Sequence, residues 1–167
     1  MTAIEQDFPP ADIHPIDMVE TLAEQAAWEF DRVGENQIAM AVEGGWRTYS
    51  LTLMWSDYDD MLRLVCTFEL NPPEERLDAL LALLNIANDR VWGGGFTLWR
   101  DEGLMVFRAG LSLVGGAAAT PEQVEAMVCT AIAQSERFYP AFQLVGWSTE
   151  TPEEAARVAL EAAYGTA

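Results

Sequence analysis

Apolar residues recur along this chain with two periods, and each change from one to the other marks an element boundary. Ile16, Val19, Ala23, Ala26, Phe30 and Val33 fall at helical spacing, which predicts a first helix from about Pro15 to Val33. Proline suits the first helical turn because its φ is already set, Asp17 faces the positive helix end, and Gly34 offers a left-handed cap. From Gln37 the period drops to two. Strands are predicted over Gln37–Glu43, Trp46–Trp55 and Met61–Leu70. Gly44-Gly45 and Ser56-Asp57-Tyr58-Asp59-Asp60 form the turns between them. Tyr49, Leu51, Leu53 and Trp55 share one face of the second strand, and Leu62, Leu64, Cys66, Phe68 and Leu70 share one face of the third. Such alternation is what a sheet covered on one side requires.

A second helix is announced by Asn71-Pro72-Pro73-Glu74-Glu75, with Asn71 as its cap and Leu77, Leu80, Leu81, Leu84 and Asn88 as its inner face. Gly93-Gly94-Gly95 ends that segment. Strands over Phe96–Arg100 and Leu104–Leu113 then form a hairpin around Asp101-Glu102-Gly103. Thr120-Pro121-Glu122-Gln123 is a capping box that opens a third helix, with Val124, Met127, Val128, Ala131, Ile132 and Ser135 facing inward. Pro140 is expected to end or bend it. Thr151-Pro152-Glu153-Glu154 repeats the device for a short last helix reaching about Tyr164. The order α-β-β-β-α-β-β-α, plus a short C-terminal helix, predicts an α+β fold: an antiparallel sheet of about five strands with helices packed on one face. Residues 1–14 read as a flexible N-terminal arm, and residues 15–167 as a single domain with no linker dividing it.

Charge narrows the function classes. The chain carries 27 acids against 9 bases, a formal net charge of −18. All the bases are arginines, scattered from Arg32 to Arg157 without a basic stripe. Affinity for nucleic acid rests on cations that neutralise phosphates, and anionic membranes make the same demand, so neither is an expected partner. Cys66 and Cys129 lie in apolar runs and read as buried thiols in a reducing compartment. With no signal pattern near Met1 and no apolar stretch of membrane-spanning length, the expected location is the cytoplasm.

Catalytic constellations are not apparent. His14 is the only histidine. Its place beside a proline at a helix start makes it a cap or surface residue rather than the base of a nucleophile pair. Gly93-Gly94-Gly95 lacks the lysine and following helix of a phosphate loop and reads as a helix-to-strand turn. Asp57, Asp59 and Asp60 only half match a calcium loop and have no following glycine, so a solvated turn explains them. Paired carboxylates of the glycosidase kind leave no sequence signature, and 27 acids produce chance pairs. No enzyme activity, cofactor or metal is implied.

What remains is surplus apolar sheet. Trp46 and Met54 alternate out of phase with Tyr49 and Leu51. Trp99 lies opposite Phe96 and Leu98, and Leu104 and Val106 lie opposite Met105 and Phe107. A sheet with one wet face has no need of these, so Trp46, Met54, Trp99 and Val106 are the candidate partner-binding residues.

Several stretches also look familiar in their order and spacing. They are Pro15-Ile16-Asp17-Met18-Val19-Glu20, Trp28 through Gly34, Val42 through Arg47, Trp92 through Trp99, Met105 through Arg108 and, most distinctively, Glu136-Arg137-Phe138-Tyr139-Pro140-Ala141-Phe142-Gln143. Together they resemble the YbjN family of bacterial sensory transduction regulators. The resemblance implies a type III secretion chaperone-like fold and a non-enzymatic regulatory or chaperone-like role. It brings no catalytic residues with it, and within Glu136–Gln143 a packing role is the simpler reading. The expected function is a protein-binding module acting on a protein partner and able to form a homodimer. The alternative is a small-molecule sensor with an apolar pocket between sheet and helices.

Overall fold

The computed structural model describes residues 13–162. Helix α1 (Pro15–Gln25) leads into four strands: β1 (Glu29–Gly34), β2 (Gln37–Glu43), β3 (Thr48–Ser56) and β4 (Met61–Glu69). A 3-10 turn (Glu74–Arg76) and α2 (Leu77–Asp89) follow, then the hairpin β5 (Gly95–Trp99) and β6 (Leu104–Ser112). Helices α3 (Pro121–Trp147) and α4 (Pro152–Ala162) close the order. The strands form one antiparallel six-stranded sheet in the order β1-β2-β3-β4-β6-β5. This is the α+β architecture expected, with one strand more.

The added strand is β1, which the periodicity had merged into the first helix. Helix α1 stops at Gln25 because the next residues turn back on it. The Trp28 N–H donates to the Ala23 carbonyl (2.9 Å), the Ala27 N–H donates to Glu24 (3.2 Å), and Ala27 takes a φ of 56°. This is the left-handed helix end that glycine usually supplies. An alanine there leaves no visible stop signal. Beyond it, half-buried Trp28, Phe30 and Arg32 alternate with exposed Glu29, Asp31 and Val33, a period of two that also happens to satisfy helical spacing. Gly34 ends β1 and caps no helix. At the other end of α1, His14 is the cap: its Nδ1 accepts from the Ile16 N–H (3.2 Å), so its Nε2 donates to Asn36 Oδ1 (3.0 Å). His14, placed in the arm by the sequence, is thus the helix cap; residues 1–12 lie outside the described residues, as does Tyr164.

Strand register sorts the sheet into two faces. Met40, Leu51, Cys66, Phe107 and Phe96 lie on one line across the strands, and Ile38, Leu53, Leu64 and Ala109 on the next. These point at the helices and, with Phe138, Phe142, Leu80 and Val145, form one apolar cluster that fills the space between the two layers.

Helix α2 differs from expectation in two ways. Asn71 is not its cap, because Pro72 and Pro73 hold the chain extended and the first turn is 3-10. Its inner face is Leu80, Leu83, Leu84 and Ala87, while Leu81 is exposed. The capping box at Thr120 forms as expected: Thr120 Oγ1 accepts from Gln123 N–H (3.1 Å) and Gln123 Oε1 from Thr120 N–H (2.9 Å). Thr151 and Glu154 repeat it on α4. Pro140 neither ends nor breaks α3, which runs on to Trp147. Its cost is one missing N–H, at the carbonyl of Glu136 four residues earlier.

One cysteine is buried and the other, Cys129, is exposed, a correction to the expectation of two buried thiols. Cys66 lies beneath α3 with its Sγ 3.7 Å from Ser135 Oγ. Burial pushes its thiol from near 9 up to about 11, against a smaller opposing pull from Ser135. An acid whose folded pKa is raised stabilises the fold fully below its unfolded pKa and loses that contribution as pH climbs towards the folded one. Urea denaturation is therefore expected to show stability falling between about pH 9 and pH 11, with Cys66→Ala flattening that part of the slope. An unchanged slope in the variant would show that the thiol does not titrate across this window.

Candidate functional site

The four residues singled out as partner-binding do not form one surface. Val106 lies on the sheet face away from the helices, between Thr67 and Thr97, but is fully buried and offers nothing to a partner. Its place on a central strand between two neighbours explains this. Alternation identifies the face of a residue but not the cover it receives. Met54 and Trp99 do share a feature. They line an open groove of about 1000 Å³ across the outer sheet face, with Arg63, Val65, Thr97 and Arg108. Arg63 is held there by Asp59 at 2.6 Å.

Trp46 lies elsewhere. It precedes β3 in the β2–β3 turn rather than within the strand, so strand alternation does not govern it. The turn folds over the helix side of the sheet, and the Trp46 ring stacks on Tyr139 of α3 (centroids 6.1 Å apart, planes at 27°). Three donors fix that position. The Glu136 carboxylate accepts from the Gly45 N–H (3.0 Å), the Trp46 N–H (3.2 Å) and the Tyr49 hydroxyl (2.5 Å). Tyr49 is fully buried, and desolvation together with Glu136 raises its phenol far above the usual tyrosine range. Gly44 is required here, since a Cβ on it would collide with the Glu136 carboxylate and the Tyr49 ring. From below, the Arg47 guanidinium lies 5.9 Å from the ring centres of both Phe68 and Tyr139 and donates to the Glu69 carbonyl (3.3 Å).

The segment Glu136–Gln143 therefore divides by helical register. Phe138, Ala141 and Phe142 face the core and are fully buried. Tyr139, Pro140 and Gln143 face outward and, with Trp46, Leu144 and Trp147, line an apolar groove of about 520 Å³. Trp46 and Trp147 are 60 % and 54 % exposed, so this groove presents two large aromatic surfaces to solvent. Sequence reading missed Trp147, Tyr139 and Pro140 as surface residues. The available signal was a second, largely apolar stripe, Tyr139, Pro140, Leu144 and Trp147, beside the core stripe of the same helix.

No cluster of three or more histidine, cysteine or acidic side chains suited to a metal ion occurs among the described residues. In the Asp57–Asp60 turn, Asp57 accepts from the Trp55 indole (2.7 Å) and Asn36 (3.3 Å), and Asp59 accepts from Arg63. The turn is thus tied into the protein itself. No described helix is long and apolar enough to cross a membrane.

These features place the chain among α+β proteins built on one antiparallel sheet with a single helix-covered face. Within that class it belongs to the YbjN family, described as "putative bacterial sensory transduction regulator", whose profile matches residues 15–144. Among solved structures, the fold is similar to that of YbjN from E. coli, described as "a putative transcription regulator". The TM-score is 0.55 at 13 % identity, covering 91 % of this chain and 94 % of the other. No functionally curated protein matches the sequence.

Proposed function

We propose that this chain is a non-enzymatic regulatory module, chaperone-like in action, that works by holding a polypeptide partner against the α3 groove. One observation carries the reading: Trp46 and Trp147, each more than half exposed, flank a groove whose wall is fixed from within by Glu136 and Arg47. Exposed aromatics on a rigid base are the anchors that protein interfaces use, because little side-chain freedom is lost when they are covered. The family's regulatory description supports the role. A charge of −18 favours regulation through another protein over direct contact with DNA.

The test is capture by the immobilised chain, with the bound polypeptide identified and titrated back in purified form. Trp46→Ala with Trp147→Ala is expected to weaken that binding by about tenfold or more, the scale of losing an interface anchor. Met54→Ala with Trp99→Ala should leave it unchanged. If the second pair abolishes binding and the first does not, the outer sheet face is the working surface and this assignment fails.

A further inference from the structure

A polypeptide held on α3 leaves the groove across the outer sheet face without a role. The ionisable residues that line it are Asp59, Arg63 and Arg108: two bases against one acid, on a chain with 27 acids and 9 bases. Asp59 is taken up by Arg63 at 2.6 Å. Arg108 is exposed and has no hydrogen-bond or ion-pair partner among the described residues.

Strand register gives these two cations a bare floor. Arg63 on β4 lies opposite Gly110 on β6, and Arg108 on β6 lies opposite Gly95 on β5. Residues directly opposite share a face, so each arginine borders a position with no side chain. The space is required at Gly110, where a Cβ would lie 2.8 Å from Met61 Sδ. Val65 is the residue opposite Arg108, which makes Arg63 and Arg108 diagonal neighbours, roughly 7–8 Å apart at the backbone. Side chains of that length can close on one group. A main-chain donor joins them. Strand β5 begins opposite Arg108, whereas β6 runs on to Ser112. Peptide groups alternate in direction along a strand. The Leu113 N–H donates to Asp60 on the β4 side (2.8 Å), so the Gly110 N–H points the other way, to where β5 is absent.

We propose that this groove is a binding site for a small organic anion. Its carboxylate or phosphate is held by Arg63, Arg108 and the Gly110 N–H, and its apolar body lies along Val65 and Thr97 towards Trp99. Guanidinium groups grip such oxyanions through paired hydrogen bonds. A volume of about 1000 Å³ is that of a large small-molecule pocket. The chain's other acids do not line the groove. Exposed charges farther off than about 8 Å are largely screened at physiological salt, so the local positive sign governs binding.

The test is an amide NMR titration at about 0.15 M salt with 2-naphthyl phosphate, 2-naphthoate and inorganic phosphate. At least one naphthyl probe is expected to shift the Gly95 and Gly110 amides and the Trp99 indole, and the tighter of the two identifies the head group. Inorganic phosphate should bind more weakly, and Arg108→Gln should weaken naphthyl binding by about tenfold or more. Trp46→Ala with Trp147→Ala should leave it unchanged, which separates this site from the α3 groove. No shift at Gly110 with either naphthyl probe overturns the proposal, as do shifts confined to Trp46 and Trp147, or full affinity in Arg108→Gln. Inorganic phosphate binding as tightly as both naphthyl probes overturns the role given to Trp99. If Arg108→Gln fails to fold, the position of the shifts on the unaltered chain decides.

Discussion

Glu136→Ala is expected to destabilise the fold by roughly 1–3 kcal/mol, the cost of stranding a buried polar group. The stranded group is the Tyr49 hydroxyl, which lies beneath the β2–β3 turn with Glu136 as its only hydrogen-bond partner among the described residues. The Gly45 and Trp46 N–H groups lose the same acceptor but have water nearby to replace it. Urea titration gives the magnitude, and a double-mutant cycle gives the cause. In Glu136→Ala with Tyr49→Phe both ends of the bond are gone, so the loss should be clearly smaller than the sum of the two single losses. Additive losses would mean that the bond between Tyr49 and Glu136 contributes nothing of its own.

Phe142→Ala should cost more, roughly 3–5 kcal/mol, the range for removing a fully buried aromatic. Phe142 is where the inner layer converges: its ring centre lies 6.2 Å from Phe68 on β4, 5.1 Å from Phe96 on β5 and 6.3 Å from Phe138 on its own helix. Truncation opens a cavity between the sheet and the middle of α3, where two strands and a helix meet and none can move in without leaving another contact. Phe142→Leu, which keeps most of the volume, should lose much less. A loss below about 1.5 kcal/mol for the alanine variant would show that the layers collapse readily onto each other, and the groove behind them would then have no rigid base.

Much of this architecture is visible in the sequence, because strand alternation and helix caps are local effects. Strands β2 and β4, the capping boxes at Thr120 and Thr151, and the His14 cap all follow from neighbours a few residues apart. The failures have equally specific causes. Helix α1 stops on an alanine in a glycine conformation, and no propensity marks that. Pro140 sits inside an unbroken helix because tertiary packing on both sides of α3 outweighs one absent hydrogen bond. The candidate site was half legible. Met54 and Trp99 fall together in the outer groove, but Trp46 was placed on the wrong layer. The bond that turns it over comes from Glu136, ninety residues away, and separation of that order leaves no periodic trace.

Arg76 sets the far end of the α3 groove. Its Nε donates to the Val145 carbonyl and its Nη2 to the Glu150 carbonyl, each at 2.8 Å. One planar cation thus spans the corner between α3 and α4, capping the negative end of the longer helix while fixing the direction in which the chain leaves it. Trp147 and Ser148, which line the groove, lie between those two carbonyls in sequence. The rim of the groove is therefore anchored like a bracket from the short 3-10 turn behind it. An ammonium group lacks the rigid planar fork that holds two acceptors in fixed directions, so arginine and lysine are not equivalent at this corner.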